Sequence, residues 1–127
     1  MKYEKAVPVI ATADVLSTVA FYKGILGFTE HFLFGDPPVY AGIERDGVLL
    51  YIAQDAKLTS MLKSSDLHPE VFVWVRDIDQ VLDEHRLRGV KIVEEISDRA
   101  WDARQYVIED PNGYYLKIAE PLHEEED

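Results

Sequence analysis

Cysteine is absent from the 127 residues, which excludes disulfides, thiolate nucleophiles, cysteine-ligated zinc and iron–sulfur clusters. A metal ion would have to be held by His, Asp or Glu. Positive charge is scarce as well: 13 Lys and Arg stand against 24 Asp and Glu, a formal net charge of -11. Such a chain repels phosphate backbones and anionic headgroups, so neither nucleic acid nor a membrane surface is an expected partner. No apolar run approaches the roughly 20 residues of a membrane span. Met1-Lys2-Tyr3-Glu4-Lys5 leads into a strand pattern without the apolar core of a signal peptide, and a soluble, cytoplasmic protein is expected.

What is present is ordinary for a globular chain: 47% apolar and 29% charged residues, enough to bury a core in one compact domain. Self-similarity organises it. Asp14 recurs as Asp77, Gly27 as Gly89 and Gly47 as Gly113, at offsets of 63, 62 and 66 residues. Each Asp follows an alternating apolar run and precedes a helical pattern, each of the first Gly pair closes that pattern, and each of the second opens a strand.

In the first half Asp14 is placed to cap a helix, and Val15, Val19, Tyr22 and Leu26 share one face of it. Gly27 is expected at C′ with positive φ. In the second half, Asp77 with Gln80 reads as a capping box, Ile78, Val81, Leu82 and His85 as the buried stripe, and Arg86 and Arg88 as the last turn before Gly89. Strands are expected over about 29–34, 39–45 and 48–54, then about 91–96, 104–109 and 114–119, with turns at Arg45-Asp46-Gly47 and Asp110-Pro111-Asn112-Gly113. The chain thus reads as one α+β domain over 1–127, built of two tandem β-α-β-β-β modules at about 6–54 and 70–120. A linker at 55–69, with room for one helical turn, joins them, and an acidic tail at 121–127 is expected to fray. Alternation puts Val71, Val73 and Val75 on one face of their strand and Glu70, Phe72 and Trp74 on the other.

The doubled module, the run Asp14-Val15 to Phe21-Tyr22 and Leu26-Gly27-Phe28, and Asp110-Pro111-Asn112-Gly113-Tyr114 before the last strand resemble the glyoxalase/bleomycin-resistance/extradiol-dioxygenase superfamily. Ala6-Val7-Pro8-Val9 and Trp101-Asp102-Ala103-Arg104-Gln105-Tyr106 are most similar to its bleomycin-resistance branch, although the latter segment lacks that branch's usual glycine. The resemblance implies a cup-shaped curved sheet with helices outside, and a homodimer whose cups are completed by both chains. In the superfamily's metalloenzymes the ligands come from the first and last strands of each module. Seven residues before each capping Asp stand Val7 and Glu70, and four residues after each strand-opening Gly stand Tyr51 and Lys117. Only Glu70 is an ordinary divalent-metal ligand, and Lys117 opposes a cation; no metal and no cofactor is expected. An ion pair between Glu70 and Lys117 follows if both face the cup.

The histidines have no metal-ligand or acid–base spacing: His31 lies on a strand, His85 on a helix, His123 in the tail, and His68, near Glu70, is the one placed to reach the rim. No nucleophile elbow or glycine-rich phosphate loop occurs. What remains is aromatic. By resemblance, Phe32, Tyr40 and Trp101 match positions that stack on a flat drug, and Phe72 matches a cup-facing aromatic. Trp101 stands between Asp98-Arg99-Ala100 and Asp102, where core packing explains it poorly. The expected function is binding without catalysis: a metal-free protein sequestering a flat cationic or aromatic ligand, bleomycin being such a molecule. Phe32, Tyr40, Tyr51, Phe72, Trp74, Trp101 and Lys117 line its groove, with Glu70, Asp102 and Asp36 as counter-charge. The alternative is a glyoxalase-like, metal-dependent lyase, isomerase or dioxygenase.

Overall fold

A computed structural model describes residues 1–123 of the chain. Two compact units divide it, Met1–Leu67 and His68–Asp127. The first holds β1 (Val9–Thr12), α1 (Val15–Gly24), β2 (Thr29–Phe34), β3 (Tyr40–Arg45), β4 (Val48–Gln54) and α2 (Ala56–Lys63). The second holds β5 (Glu70–Trp74), α3 (Ile78–Leu87), β6 (Lys91–Arg99), β7 (Ala103–Glu109) and β8 (Tyr115–Pro121). Their sheets have the same topology, β1-β4-β3-β2 and β5-β8-β7-β6, with the first pair parallel and the others antiparallel. This is the expected α+β fold of two β-α-β-β-β modules.

Each unit buries the face of its sheet that meets the helix, and in the second unit Gln105, Val107 and Ala119 of the other face are buried as well. In the first, Ile10, Ala41, Ile43, Leu50 and Ile52 are sealed off from solvent together with Val15, Val19, Tyr22 and Leu26, the expected stripe of α1. Burying side chains of this size stabilises by about 1.5–3 kcal/mol each. In the second, Val71, Ile108, Leu116 and Ile118 are buried with Ile78, Leu82 and His85, while Val81 is half-buried. The Tyr106 hydroxyl lies 2.7 Å from His85 Nδ1 within that core. Desolvation, reinforced by the nearby Glu84, raises the Tyr106 phenol above its ordinary value.

The helix ends depart from expectation in instructive ways. Asp14 accepts a hydrogen bond from the Ser17 amide at 3.2 Å, the expected cap. Asp77 instead sits at φ +58° with no side-chain cap bond. The α3 N-terminus is satisfied from β8: Glu120 accepts from the Asp77 amide at 2.9 Å and from the Ile78 amide at 3.2 Å. The capping box is therefore not formed, because a preorganised carboxylate from the neighbouring strand occupies the role. Gly89, at φ +73°, does close α3, and the Val90 amide reaches back to His85 O at 3.1 Å. Helix α1 ends earlier than its glycine: Ile25 is the cap residue, and Gly27 takes φ +73° two residues on, letting the Phe28 amide reach Tyr22 O at 2.9 Å.

Three segment boundaries also move. The linker contains an eight-residue helix, α2, capped by Asp55, which accepts from the Leu58 amide at 3.0 Å. β6 runs on to Arg99, so Trp101 lies at the tip of the β6–β7 hairpin. The start of the tail is tied down, not frayed: Pro121 ends β8, the Leu122 amide donates to Asp102 O at 3.0 Å, and His123 Nδ1 lies 2.6 Å from Asp102 Oδ1. The rest of the expected fraying tail, 124–127, lies outside the described residues. No helix among the described residues is long and apolar enough to cross a membrane.

Candidate ligand-binding faces

The face of the second sheet opposite α3 can be read from its register. Glu70 pairs with Tyr115, Phe72 with Lys117 and Trp74 with Ala119, and across β8 these continue to Glu109, Val107 and Gln105. Partners in register share a face. Phe72 and Trp74, two residues apart on the edge strand β5, are 44% and 55% exposed, large apolar area for a solvent-facing edge. Their ring centroids are 4.8 Å apart. Lys117 Nζ lies 2.7 Å from Glu70 Oε2, so the expected ion pair is formed on this same face.

Trp101 joins that face through a side-chain contact. Its indole Nε1–H donates to Gln105 Oε1 at 3.3 Å, and Gln105 lies in the same row as Trp74, two strands away or about 10 Å. The Arg99 guanidinium sits 5.8 Å from the centroid of the Trp101 ring and also pairs with Glu94. Trp101 remains 59% exposed, with one side held by protein. Asp102, at φ +65°, turns its carboxylate to His123. Both Asp102 and Glu70 thus already have partners, and Asp36 stands exposed in the β2–β3 turn.

Of the remaining expected site residues, Phe32, Tyr40 and Tyr51 come together on one face of the first sheet. Phe32 and Tyr40 rings are nearly parallel, 7° apart in plane with centroids at 6.1 Å, and Tyr51 meets both edge-on at 5.5 and 5.9 Å. The position that admits this cluster is Gly42, opposite Phe32 in register: a Cβ there would stand 2.4 Å from Phe32 Cε1. Val7 precedes β1 and is half-buried.

Sequence reasoning missed Gly42, Gln105 and Arg99, whose parts depend on cross-strand register and on ring rotamers. It singled out His68 only by position. The imidazole stacks on Tyr115 with centroids 4.1 Å apart and planes 5° apart, and Nδ1 lies 2.8 Å from Gly113 O. His31 lies 3.9 Å from Glu44, on the surface. Among the described residues, no three His, Asp or Glu side chains come together as a metal-holding group.

A family model for the Glyoxalase/Bleomycin resistance protein/Dioxygenase superfamily matches residues 6–118. No curated protein matches in sequence. Solved structures of similar fold include the bleomycin resistance determinant encoded on transposon Tn5, 18% identical with a TM-score of 0.78 over 94% of this chain and 98% of that one. TioX from Micromonospora sp. ML1 is 20% identical with a TM-score of 0.74, over 93% of this chain and 100% of that one. The bleomycin-binding protein from bleomycin-producing Streptomyces verticillus, complexed with copper(II)-bleomycin, is 23% identical with a TM-score of 0.71, over 98% and 99%. At these identities the likeness is one of fold.

Proposed function

The chain belongs to the glyoxalase/bleomycin resistance protein/dioxygenase superfamily, and from that premise we propose that it is a metal-free, homodimeric, cytoplasmic binding protein that sequesters a flat cationic or aromatic molecule. The observation that carries this reading is the exposed Phe72–Trp74 pair beside the Glu70–Lys117 ion pair on one sheet face. Planar side chains offer large rigid contact area at little entropic cost, and each stacked pair adds about 0.5–1.5 kcal/mol beyond area burial. Trp101, bonded to the same face through Gln105, adds a further exposed ring at the hairpin tip, and Phe32, Tyr40 and Tyr51 form an aromatic face of the first unit by themselves.

The ion pair also favours a binding role over metal chemistry. The Lys117 ammonium, 2.7 Å from the Glu70 carboxylate, occupies that carboxylate and opposes a divalent cation beside it. Two of the structural relatives are named for bleomycin, a long molecule with a flat heteroaromatic tail and cationic groups, and a ligand of that class fits an aromatic face on an acidic chain. Sequestration would confer resistance to such a drug without altering it.

Titration with metal-free and copper-bound bleomycin, followed by Trp fluorescence and heat, tests the reading, with sedimentation on the same sample for the dimer. Saturable binding that quenches Trp emission is expected, weakened by roughly tenfold or more in W101A. Failure of the wild-type protein to bind either form would remove this ligand class.

A further inference from the structure

His68 lies just ahead of β5, beside the row Glu70–Tyr115–Glu109. Its ring is fixed twice, by the Tyr115 ring 4.1 Å away and by Gly113 O 2.8 Å from Nδ1. A carbonyl oxygen can only accept, so Nδ1 carries the proton and, in the neutral imidazole, Nε2 carries the lone pair. Glu109 favours the same arrangement, with Oε1 3.9 Å from Nδ1 and its other oxygen held by Lys91 Nζ at 3.0 Å. Nε2 has no partner among the described residues, and the side chain is 31% exposed.

The turn does not require this histidine. Asp110 Oδ1 accepts from the Asn112 and Tyr114 amides at 2.9 Å each, and the Tyr115 amide donates to Pro69 O at 2.9 Å. The Gly113 bond therefore orients the imidazole more than it holds the backbone. We propose that His68 is a ligand-binding residue, its Nε2 accepting a hydrogen bond from an amine or amide N–H of a molecule whose aromatic portion rests on Phe72 and Trp74. The inference deepens the binding reading above and rests on it. The residues from Glu70 to Trp74 span about 13 Å of strand, so the ligand class is an elongated one, with a flat ring system at one end and a nitrogen donor at the other.

The test pairs a ligand-free readout with binding of metal-free bleomycin. Nitrogen-15 correlation spectra of histidine-labelled protein should show His68 in the Nδ1–H tautomer, with its Nε2 resonance moving on titration. H68N, which retains a donor toward Gly113 and lacks both the Tyr115 stack and an acceptor at the Nε2 position, should bind about tenfold more weakly while still unfolding cooperatively, with its melting temperature lowered no more than that of H68Q. H68Q, which restores that acceptor, should recover most of the affinity. An Nε2–H tautomer, or wild-type affinity in H68N while wild-type protein binds, overturns the role of His68 alone. No binding by wild-type protein overturns the sequestration reading and this inference with it.

Discussion

Gly42 shows how a missing side chain can build an aromatic cluster. It does not adopt positive φ, so it is needed for space and not for backbone conformation: the Phe32 ring lies where its Cβ would be, 2.4 Å from Cε1. Phe32 thereby lies down on β3 and meets both Tyr40 and Tyr51. In G42A the ring has to leave this position. Phe32 is half-buried, so its ring has room to swing toward solvent and what is lost is its contacts with Tyr40 and Tyr51; denaturant unfolding should show a loss of about 0.5–1.5 kcal/mol, the worth of an aromatic pair. Because the clash is with one ring, F32A/G42A should lose less than the sum of the single losses. Strict additivity in that cycle would mean that Gly42 serves the strand and not the ring. Gly27 differs in kind, since its φ of +73° makes any side chain strained whatever the space around it.

At the scale of elements, α1 and α3, the corresponding helices of the two modules, both have Asp at the N-cap but are capped by different means. Asp14 caps α1 with its own carboxylate, whereas α3 receives Glu120 from β8, 43 and 42 residues further along the chain. E120A should therefore destabilise by about 0.5–2 kcal/mol, the usual worth of an N-cap. D77G should be neutral or stabilising, since glycine relieves a left-handed residue that costs roughly 1 kcal/mol. Thermal or chemical unfolding of the two variants decides it: a large loss in D77G beside a silent E120A would restore the local capping box. The contrast marks what could be read in the chain beforehand. Strand bounds followed from two-residue alternation and fell within a few residues, and the Glu70–Lys117 pair followed from the ligand positions that the resemblance implies, placed by aligning the two modules. The α3 cap and the Trp101–Gln105 bond depend on which residues become neighbours across strands, which no local pattern encodes. Helix α2 did have a local signal, Asp55 three residues ahead of the Leu58 amide it caps, but its short, largely exposed run gave no buried stripe to follow. Among the candidate residues, Phe72 and Trp74 were legible from alternation, and the orientation of His68 was not.

For the molecule as a whole, the net charge of -11 has to be reconciled with the finding that, among the described residues, Glu70 and Asp102 near the aromatic face already have partners. Glu70 is ion-paired with Lys117 and Asp102 is hydrogen-bonded to His123, so attraction of a cationic ligand is expected to come mainly from the summed field and not from a contact. A long-range field acts on encounter, while stacking acts on residence. Screening shortens the Debye length from about 30 Å at 0.01 M salt to about 3 Å at 1 M. Stopped-flow quenching of Trp emission by metal-free bleomycin should therefore show an association rate that falls steeply with ionic strength and a dissociation rate that barely moves. W74A should do the reverse, raising dissociation several-fold at every salt concentration and leaving the salt dependence of association unchanged, because it removes contact area and no charge. If salt instead accelerated dissociation as strongly as it slowed association, the charge would be acting at contact distance. One of the two carboxylates would then have to exchange its present partner for the ligand, and K117M and H123Q would be the variants to separate them.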